Sequence, residues 1–528
     1  MKRNLLKAIG ISFLIFVVLS WIIPVGTYSD GELTTNGIDA VGLFDLVGVP
    51  VSTILTFALY IVVFAVIGGL YGVMEKTGAL TAWTDKITKK FEGKEKRFVI
   101  FTIIFFVILS SVTGLVLPLF VLVPLFGAVI LALNYDKITA LASTVGALLV
   151  GSIASTYGFN VTGYTKNILS LDMSNEIWAK VILLVLLTAI LIFFVLKFSK
   201  RSTAVKAVAK AETKKEVKEA KKETKTEAKK EVKAETKKAA KGTTKKAATK
   251  KTTTKTKKAS SKKNTASLAV AKDVKKVTAK KTVSTIPLIV IFVLMLIVSL
   301  VGMYNWYYSF DIEFFNDIHT AIMEVKIGDF AIFEHLLSGS NALGYWGNAE
   351  FVFMMIVAAA IIAWIYKLKL GEFVESFIAG VKKMLPTAIY AALASVILTI
   401  LYQASYSGTG TLVDTIYAQT FGLSDDFNVI ITGVASLIGS FFYNDLYYLL
   451  AGLTPYVMNF DADALSIVGL LIQSVAGVGM IIFPTSVILI AGLSYFGVKW
   501  THWFKYIWKF ALAVFLIILL ICCILAVM

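Results

Sequence analysis

Apolar residues in this chain occur in long stretches that are separated by short polar segments and by one long polar tract. Thirteen stretches have a length close to that of a membrane span, namely 8–24, 51–74, 98–112, 117–133, 138–154, 178–198, 286–303, 351–365, 386–401, 428–442, 446–458, 465–483 and 503–527. Because a helix needs about 20 residues to cross the hydrocarbon, we expect the shorter stretches to be broken helices or re-entrant hairpins. The pattern predicts an all-α polytopic membrane protein.

The composition supports this class. The chain is 57% hydrophobic, with a mean hydropathy of +0.78, which is more apolar surface than a soluble protein could bury. Its first apolar stretch follows Lys2, Arg3 and Lys7 without a small-residue cleavage pattern, so we interpret it as a retained anchor.

No Walker motif, nucleophile elbow or zinc-ligand spacing occurs, so the sequence predicts neither an enzyme nor a bound cofactor.

A basic tract over 199–283 separates an N-terminal membrane half, 1–198, from a C-terminal half, 284–528. Between Lys200 and Lys281 there are 30 Lys or Arg and 8 Asp or Glu, a net charge of +22 against +18 for the whole chain. We expect this insert to lie near anionic lipid headgroups. Nucleic acid is a weaker candidate because the tract has no aromatic residue on which bases could stack.

Part of the first half is repeated in the second, in a single register without gaps. The repeats cover about 97–198 and 427–528. The matched positions include Gly114 with Gly439, Gly127 with Gly452, Asn160 with Thr485, and Trp178 with Trp503. Chance identity between two apolar segments is the alternative explanation.

Loop charges predict the orientation of these repeats. Basic residues are concentrated at the N-terminus, in 76–97, in the insert and in 367–383, which the positive-inside rule assigns to the cytoplasm. Segments 26–50 and 304–350 are acidic and are expected outside. Three spans then separate the two copies, so they have opposite orientations. The sequence therefore predicts a multi-pass plasma-membrane protein with two inverted-topology repeats and a cytoplasmic N-terminus and insert.

Inverted repeats place a binding site near the midplane, where broken helices direct their ends at a ligand. Each copy has an interruption rich in Gly, Ser and Thr, which could alternatively serve close helix packing. The candidate binding residues in these interruptions are Ser155, Thr156, Asn160, Pro484, Thr485 and Ser486.

Two carboxylates are further candidates. Asp445 lies between two apolar stretches, where a charge is costly and therefore usually functional, and it could bind Na+ or carry a proton. A helix break that lifts it to an interface is the alternative. Asp414 follows a Ser/Gly/Thr-rich segment and could equally cap a helix.

Several segments resemble the anaerobic C4-dicarboxylate carrier family, the YfcC/DcuC-type branch of the ion transporter superfamily. The resembling segments are LSWIIPVGTYSDGE, VIGGLYGVMEKTGAL, SFIAGVKKMLPTAIYAALASVI followed by LVDTIY, and FPTSVILIAGLSYFGVKWTHWFKYIWKF. The resemblance implies a homodimeric, elevator-like secondary transporter in which each repeat has a hairpin whose tip binds solute and coupling ion. By position, Ser155, Thr156 and Asn160 would form one tip, and Pro484, Thr485 and Ser486 the other, with Na+ as the only metal.

The chain departs from the family pattern at two places. Ser395 stands where many relatives have an arginine, and FFYNDLYY replaces a Ser-Gly-Ser stretch. The absence of the arginine removes a natural partner for a substrate carboxylate.

These observations predict a secondary active transporter of a small polar organic solute, by exchange or by coupling to Na+ or H+. The solute could be an amino acid, a short peptide or a C4-dicarboxylate, with exchange of basic amino acids as one option. Two alternatives remain open, an ion/proton antiporter that uses Asp445 and a membrane-anchored scaffold that acts through the basic insert.

Overall fold

A computed structural model of the protein describes residues 2–29, 31–172, 174–201, 283–408, 410–424 and 426–528. Contacts divide the chain into a unit of Met1–Lys200 with Thr282–Met528 and a unit of Arg201–Lys281. The insert predicted at 199–283 lies almost entirely outside the described residues, so its proposed roles stay predictions.

The first half is helical apart from one short antiparallel ribbon, β1 (Gly26–Ser29) with β2 (Glu32–Thr35). Its helices are α1 (Lys2–Ser20), α2 (Asp45–Thr56), α3 (Ala58–Thr77), α4 (Ala79–Phe91), α5 (Glu95–Thr113), α6 (Val116–Leu119), α7 (Val123–Ala132), α8 (Lys137–Leu141), α9 (Ala147–Ile153), α10 (Tyr164–Leu169) and α11 (Ile177–Phe198). A 3₁₀ turn, Phe120–Leu122, and two π-helical turns, Ala142–Gly146 and Phe159–Gly163, lie between or beside these elements.

The second half has the same character, with one ribbon of β3 (Lys326–Ile327) and β4 (Phe330–Ala331). Its helices are α12 (Ile286–Met303), α13 (Trp306–Phe310), α14 (Phe314–Met323), α15 (Ile332–Leu336), α16 (Asn348–Ile365), α17 (Leu370–Leu393), α18 (Val396–Ser407), α19 (Leu412–Phe421), α20 (Val429–Phe442), α21 (Leu446–Val457), α22 (Ala462–Ile482), α23 (Val487–Phe496) and α24 (Trp500–Leu525).

Seven helices in the described residues are long and apolar enough to cross a membrane, or eight if the bent pair of α17 and α18 is one span. One of the seven is the pair α22 and α23 taken together. Several other predicted stretches are helices of 10–17 residues, too short to span alone. The all-α polytopic class is therefore confirmed, and the shorter apolar stretches are broken or re-entrant elements.

The stretch predicted at 386–401 covers the end of α17 and the start of α18, and α17 itself already begins at Leu370. Its first half is amphipathic, and two of its charged side chains form ion pairs with the end of α3. The Lys383 ammonium lies 2.5 Å from the Glu75 carboxylate, and the Glu372 carboxylate lies 3.9 Å from Lys76. The charged residues lowered the local hydropathy, which is why the pattern showed only the C-terminal third of this helix.

Helices α3 and α17 form the most extensive helix pair, and with α12 and α16 they form what we call the frame. Their contact depends on three glycines. A Cβ on Gly380 would overlap the carbonyl oxygen of Gly68, and a Cβ on Gly72 would overlap that of Ser376. The two backbones thus touch directly, as small residues permit in membrane helices.

Helix α5 ends at Thr113 and the chain turns back through α6 and α7, forming hairpin 1 (residues 95–132). Gly114 makes the turn in the left-handed region, at φ +68°. The Ser110 and Ser111 hydroxyls donate to the carbonyls of Leu148 and Ala154, at 2.7 and 2.6 Å. The tip of hairpin 1 therefore lies beside the end of α9.

Helices α20 and α21 form hairpin 2 (residues 429–457), with its tip at 443–445. At this tip the Asn444 amide donates to the Thr485 carbonyl at 2.7 Å. Each hairpin thus ends next to a break in a longer helical span. The breaks are 154–158, between α9 and the π-helical turn before α10, and 483–486, between α22 and α23. The predicted helix interruptions are confirmed.

The two broken spans, α8 to α10 and α22 with α23, cross each other in opposite directions. Contacts between them show this, because residues later in the second span meet residues earlier in the first. In order along the second span, the contacts join Gly469 to Leu169, Ser474 to Ile153, and Gly492 to Val145.

The repeats predicted over 97–198 and 427–528 have the same order of elements, a hairpin, a broken span and a long closing helix. In each copy the first hairpin helix packs against the helix that precedes the break, α5 on α9 and α20 on α22. The inversion of one copy relative to the membrane stays a prediction, since the structure contains no bilayer.

Candidate functional site

A cavity of about 770 Å³ opens where the two hairpin tips, the two breaks and the frame meet. Residues 114–118 and 444–448 line it from the hairpins, and α22 contributes Gln473 and Gly477. The opposite wall comes from the end of α2, the segment after α12 and helix α18. Its volume is in the range of sites for small organic ligands.

The break at 154–158 leaves carbonyls without helical partners, and side chains satisfy them. Gln473 donates its amide to the Ser155 carbonyl at 2.9 Å, and the Ser474 hydroxyl donates to Ile153 at 3.0 Å. The Tyr304 hydroxyl donates to the Tyr157 carbonyl at 2.6 Å. Irregular backbone at membrane depth requires such partners, so these donors hold the break open.

The break at 483–486 is supported in the same way. The indole N–H groups of Trp500 and Trp503 donate to the carbonyls of Ile482 and Ile481, each at 2.9 Å. The Asn444 amide, which bonds Thr485, also donates to the Ser395 hydroxyl at 3.0 Å. One side chain thus ties the tip of hairpin 2, the second break and the start of α18 together.

Two polar side chains in the cavity are of particular interest for ligand binding. The Asn160 carboxamide lines the cavity and has no hydrogen-bond partner among the described residues. Asp445 caps α21, with its Oδ1 accepting the Tyr447 amide at 2.9 Å. Four tyrosines surround this carboxylate in the lining, namely Tyr60, Tyr164, Tyr447 and Tyr448.

Asp445 is the one charged side chain among the described residues that line the cavity. No lysine or arginine from the described residues faces it. A cationic group or a coupling cation therefore finds a partner here, whereas a bare carboxylate meets only neutral donors. The described residues contain no group of three or more His, Cys, Asp or Glu that could hold a metal ion.

Comparison with known families decides the class. The family model of the C4-dicarboxylate anaerobic carrier matches residues 40–240 and 244–528. The chain belongs to this carrier family. It is therefore a membrane carrier and not an enzyme, as the sequence predicted.

One solved transporter structure aligns with this chain, but only weakly. The crystal structure of the YdaH transporter of Alcanivorax borkumensis aligns over 97% of this chain and 96% of its own, at 15% identity and a TM-score of 0.32. So low a TM-score carries no argument about function. No curated protein matches the chain significantly.

The structure corrects the assignment of the predicted site residues of this carrier to hairpin tips. Ser155, Thr156 and Asn160 lie in or just after the first break, and Pro484, Thr485 and Ser486 lie in the second. The true tips are 114–115 and 443–445, one helix earlier in each copy. The error came from reading each interruption as a turn, although the chain continues onward through it.

Only some of these residues face the cavity of the carrier. Asn160, Ser486 and Asp445 line it. Ser155 and Thr156 are buried against Ser111, whose carbonyl accepts from both hydroxyls.

The remaining three candidates lie off the cavity. Pro484 is buried in the second break. The Thr485 hydroxyl is buried without a partner among the described residues. Asp414 forms a capping box with Thr411 at the start of α19, which is the structural alternative noted above.

Two residues of the carrier site were missed by the sequence analysis. They are Asn444, which directly precedes Asp445 in the sequence, and Gln473, which lies within a helix of apolar and small residues. A buried amide in the middle of a span is costly unless it has a partner, and that signal could have identified Gln473.

We expect Asn160→Ala to weaken solute binding without unfolding the carrier. The change removes one donor and acceptor from the cavity and no bond within the described protein. Loss of a single hydrogen bond should raise the KM of uptake roughly tenfold. Uptake into proteoliposomes measures this, with Asn4→Ala in the first turn of α1 as the matched control. An unchanged KM would show that the solute does not bind Asn160.

Proposed function

We propose that this carrier is a secondary active transporter that moves a small polar organic solute through the cavity between its two broken spans. The observation that carries the proposal is the position of Asp445, a single carboxylate at the tip of hairpin 2 that lines a cavity without cationic residues. Two broken helices meeting at a shared cavity are the architecture used for alternating access to one central site.

Three solute classes fit the polar lining, namely an amino acid, a short peptide and a C4-dicarboxylate. The charge of the described lining favours a solute with an ammonium group, because Asp445 would pair with it. The family description favours a C4-dicarboxylate. A dicarboxylate would need a coupling cation at Asp445, since Ser395 offers a hydroxyl where many relatives have an arginine. We place the amino acid first and the dicarboxylate second.

Exchange of two solutes and coupling to Na+ or H+ are both compatible with this site. A carboxylate inside the membrane can bind Na+ or carry a proton. The same group would serve an ion/proton antiporter, the alternative in which no organic solute is carried. The scaffold alternative depends on the insert, which lies outside the described residues.

The mechanism we infer is an elevator-like movement of the two repeats against the frame. Support comes from the cavity, one side of which is formed by hairpins and breaks and the other by the frame and its neighbouring segments. The antiparallel crossing of the two broken spans supports inverted repeats. A homodimer and a plasma-membrane orientation with the N-terminus and insert in the cytoplasm complete the proposal.

We expect Asp445→Asn to abolish coupled uptake while the protein stays folded. Asparagine caps a helix as well as aspartate does, so the cap of α21 is kept and only the charge is lost. Uptake measured against pH and Na+ concentration should lose its ion dependence. Asp461→Asn is the matched control, because Asp461 caps α22 through the Ala464 amide at 2.7 Å, away from the cavity. If uptake by Asp445→Asn keeps the ion dependence of the wild type, then Asp445 serves only as the cap of α21.

The solute itself is found by thermal-shift screening of the purified carrier. Amino acids, dicarboxylates and short peptides are tested with and without sodium. Stabilisation by an amino acid that disappears in Asp445→Asn supports the first candidate. Stabilisation by a dicarboxylate only when sodium is present supports the second.

A further inference from the structure

A second cavity, of about 550 Å³, lies away from the central cavity, between the start of α8 and the start of α24. We call it the basic pocket. Four basic side chains line it, Lys137, Lys499, His502 and Lys505. All four are exposed, and none forms an ion pair within the described part of the chain. Asp136 is the one acidic residue in the lining, and its Oδ1 accepts hydrogen bonds from the amide and the hydroxyl of Thr139.

The backbone at the pocket adds to this positive charge. Helix α24 has 26 residues, and its first turn has no side-chain cap. Thr501 and His502 belong to that first turn and Lys499 is its N-cap residue, and all three line the pocket. The His502 and Trp503 amides donate to the Lys499 carbonyl, each at 3.0 Å, so the N–H groups left for a ligand at this helix start are those of Trp500 and Thr501. Such a helix start attracts an anion, and here it acts together with three lysines and a histidine.

A continuous apolar surface runs along α24 from the pocket. Large apolar side chains are exposed at every fourth position of this helix, so they form a ridge that winds gradually around it. They are Phe504, Trp508, Leu512, Leu516, Leu520 and Ile524, with exposed fractions of 37% to 61%. The part of this ridge nearest the basic pocket is formed by Phe504, Trp508 and Leu512, and its aromatic residues lie next to the pocket, as at a membrane interface.

We propose that the basic pocket binds the phosphate of an anionic phospholipid whose acyl chains lie along the nearest part of this ridge, at Phe504, Trp508 and Leu512. The pocket supplies the charge and the N–H groups of Trp500 and Thr501 for the headgroup, and the ridge supplies contact for the tails. A free phosphate ion would use only the first of these features, so the combination selects a lipid. The Asp136 amide also donates to the Lys200 carbonyl at 2.9 Å, so Lys200 lies beside the pocket.

The test compares two double variants of the full-length carrier with equal loss of charge. Lys499→Gln/Lys505→Gln removes two charges from the pocket, and Lys94→Gln/Lys96→Gln removes two exposed charges at the start of α5. The probes are short-chain phosphatidylglycerol, short-chain phosphatidylcholine and inorganic phosphate. Binding is followed by the shift in melting temperature and by native mass spectrometry.

We expect phosphatidylglycerol, but not phosphatidylcholine, to stabilise the wild type and the α5 variant. The pocket variant should bind phosphatidylglycerol roughly 30-fold more weakly, since each lysine near a lipid surface contributes several-fold. The basic insert is present in all variants, so any phosphatidylglycerol that it binds adds the same background to each measurement. Equal weakening in both double variants, or none in the pocket variant, overturns the proposal. Stabilisation by inorganic phosphate at the same concentration as by the lipid would also overturn it, in favour of a small-anion site.

Discussion

Solute uptake should stop when Thr387 in the frame is joined to Ser494 in the second repeat. The two hydroxyls lie 2.9 Å apart, where α17 packs against α23. In the double variant Thr387→Cys/Ser494→Cys, an oxidant should form a disulfide at this short separation. If the repeats move against the frame during transport, the bond holds them in one position and uptake falls to background. Proteoliposome uptake before and after oxidation measures the effect.

Reduction provides the control for this experiment, because a reductant should restore uptake in the same sample. Cys522 and Cys523 are free in α24 and are first replaced by alanine, so that no other pair can form. Each single variant, oxidised in the same way, should keep its uptake. Undiminished uptake in the fully cross-linked protein would exclude movement at this interface and with it the elevator mechanism.

Gly380→Ala should destabilise the protein strongly, although alanine is the better helix former. The added Cβ would overlap the carbonyl oxygen of Gly68 and would lie 3.0 Å from the Cα of Gly72. Backbone atoms cannot move aside as a side chain can, so α3 and α17 must separate. We expect a loss of at least ~2 kcal/mol in the free energy of unfolding, measured by thermal or denaturant unfolding in detergent.

The same substitution at Gly371 is the matched control. Gly371 lies in the first turn of α17, and a Cβ built there meets no atom within 4 Å. Removing a flexible glycine from a helix favours folding by up to about 1 kcal/mol, so Gly371→Ala should be neutral or stabilising. Gly380→Ala should therefore lower the free energy of unfolding, whereas Gly371→Ala should leave it unchanged or raise it. A Gly380→Ala protein as stable as the wild type would show that the frame contact is looser than described.

The helix interruptions were predictable because glycine, serine, threonine and proline are visible in any apolar stretch. The break at 154–158 and the break at 483–486 were both found in this way. Whether the chain turns back at an interruption or continues through it was not predictable, because local composition is similar in both cases. Gly114 turns the chain back, whereas the chain passes Gly158 and continues into α10.

The sequence predicts candidate site residues from their chemical type. Tertiary contacts show which of them line the central cavity and which have only a structural role. Asp445 is the N-cap residue of α21, and Asp414 lies in the first turn of α19, where it completes a capping box with Thr411. Only Asp445 also lines the central cavity, since hairpin 2 brings its tip to the two breaks. Gln473 was missed because its role depends on the Ser155 carbonyl, a group far away in the sequence.

By itself the sequence determined the membrane class and the positions of the breaks, whereas the inversion of the repeats and the bounds of the basic insert stay predictions. The membrane class and the break positions follow from local apolarity and from backbone chemistry, both of which are fixed by neighbouring residues. Only the tertiary structure decided which polar groups face a common cavity and which form hydrogen bonds to the backbone of a helix break. That distinction depends on hydrogen bonds between segments far apart in the chain, such as Asn444 with Thr485 and Gln473 with Ser155.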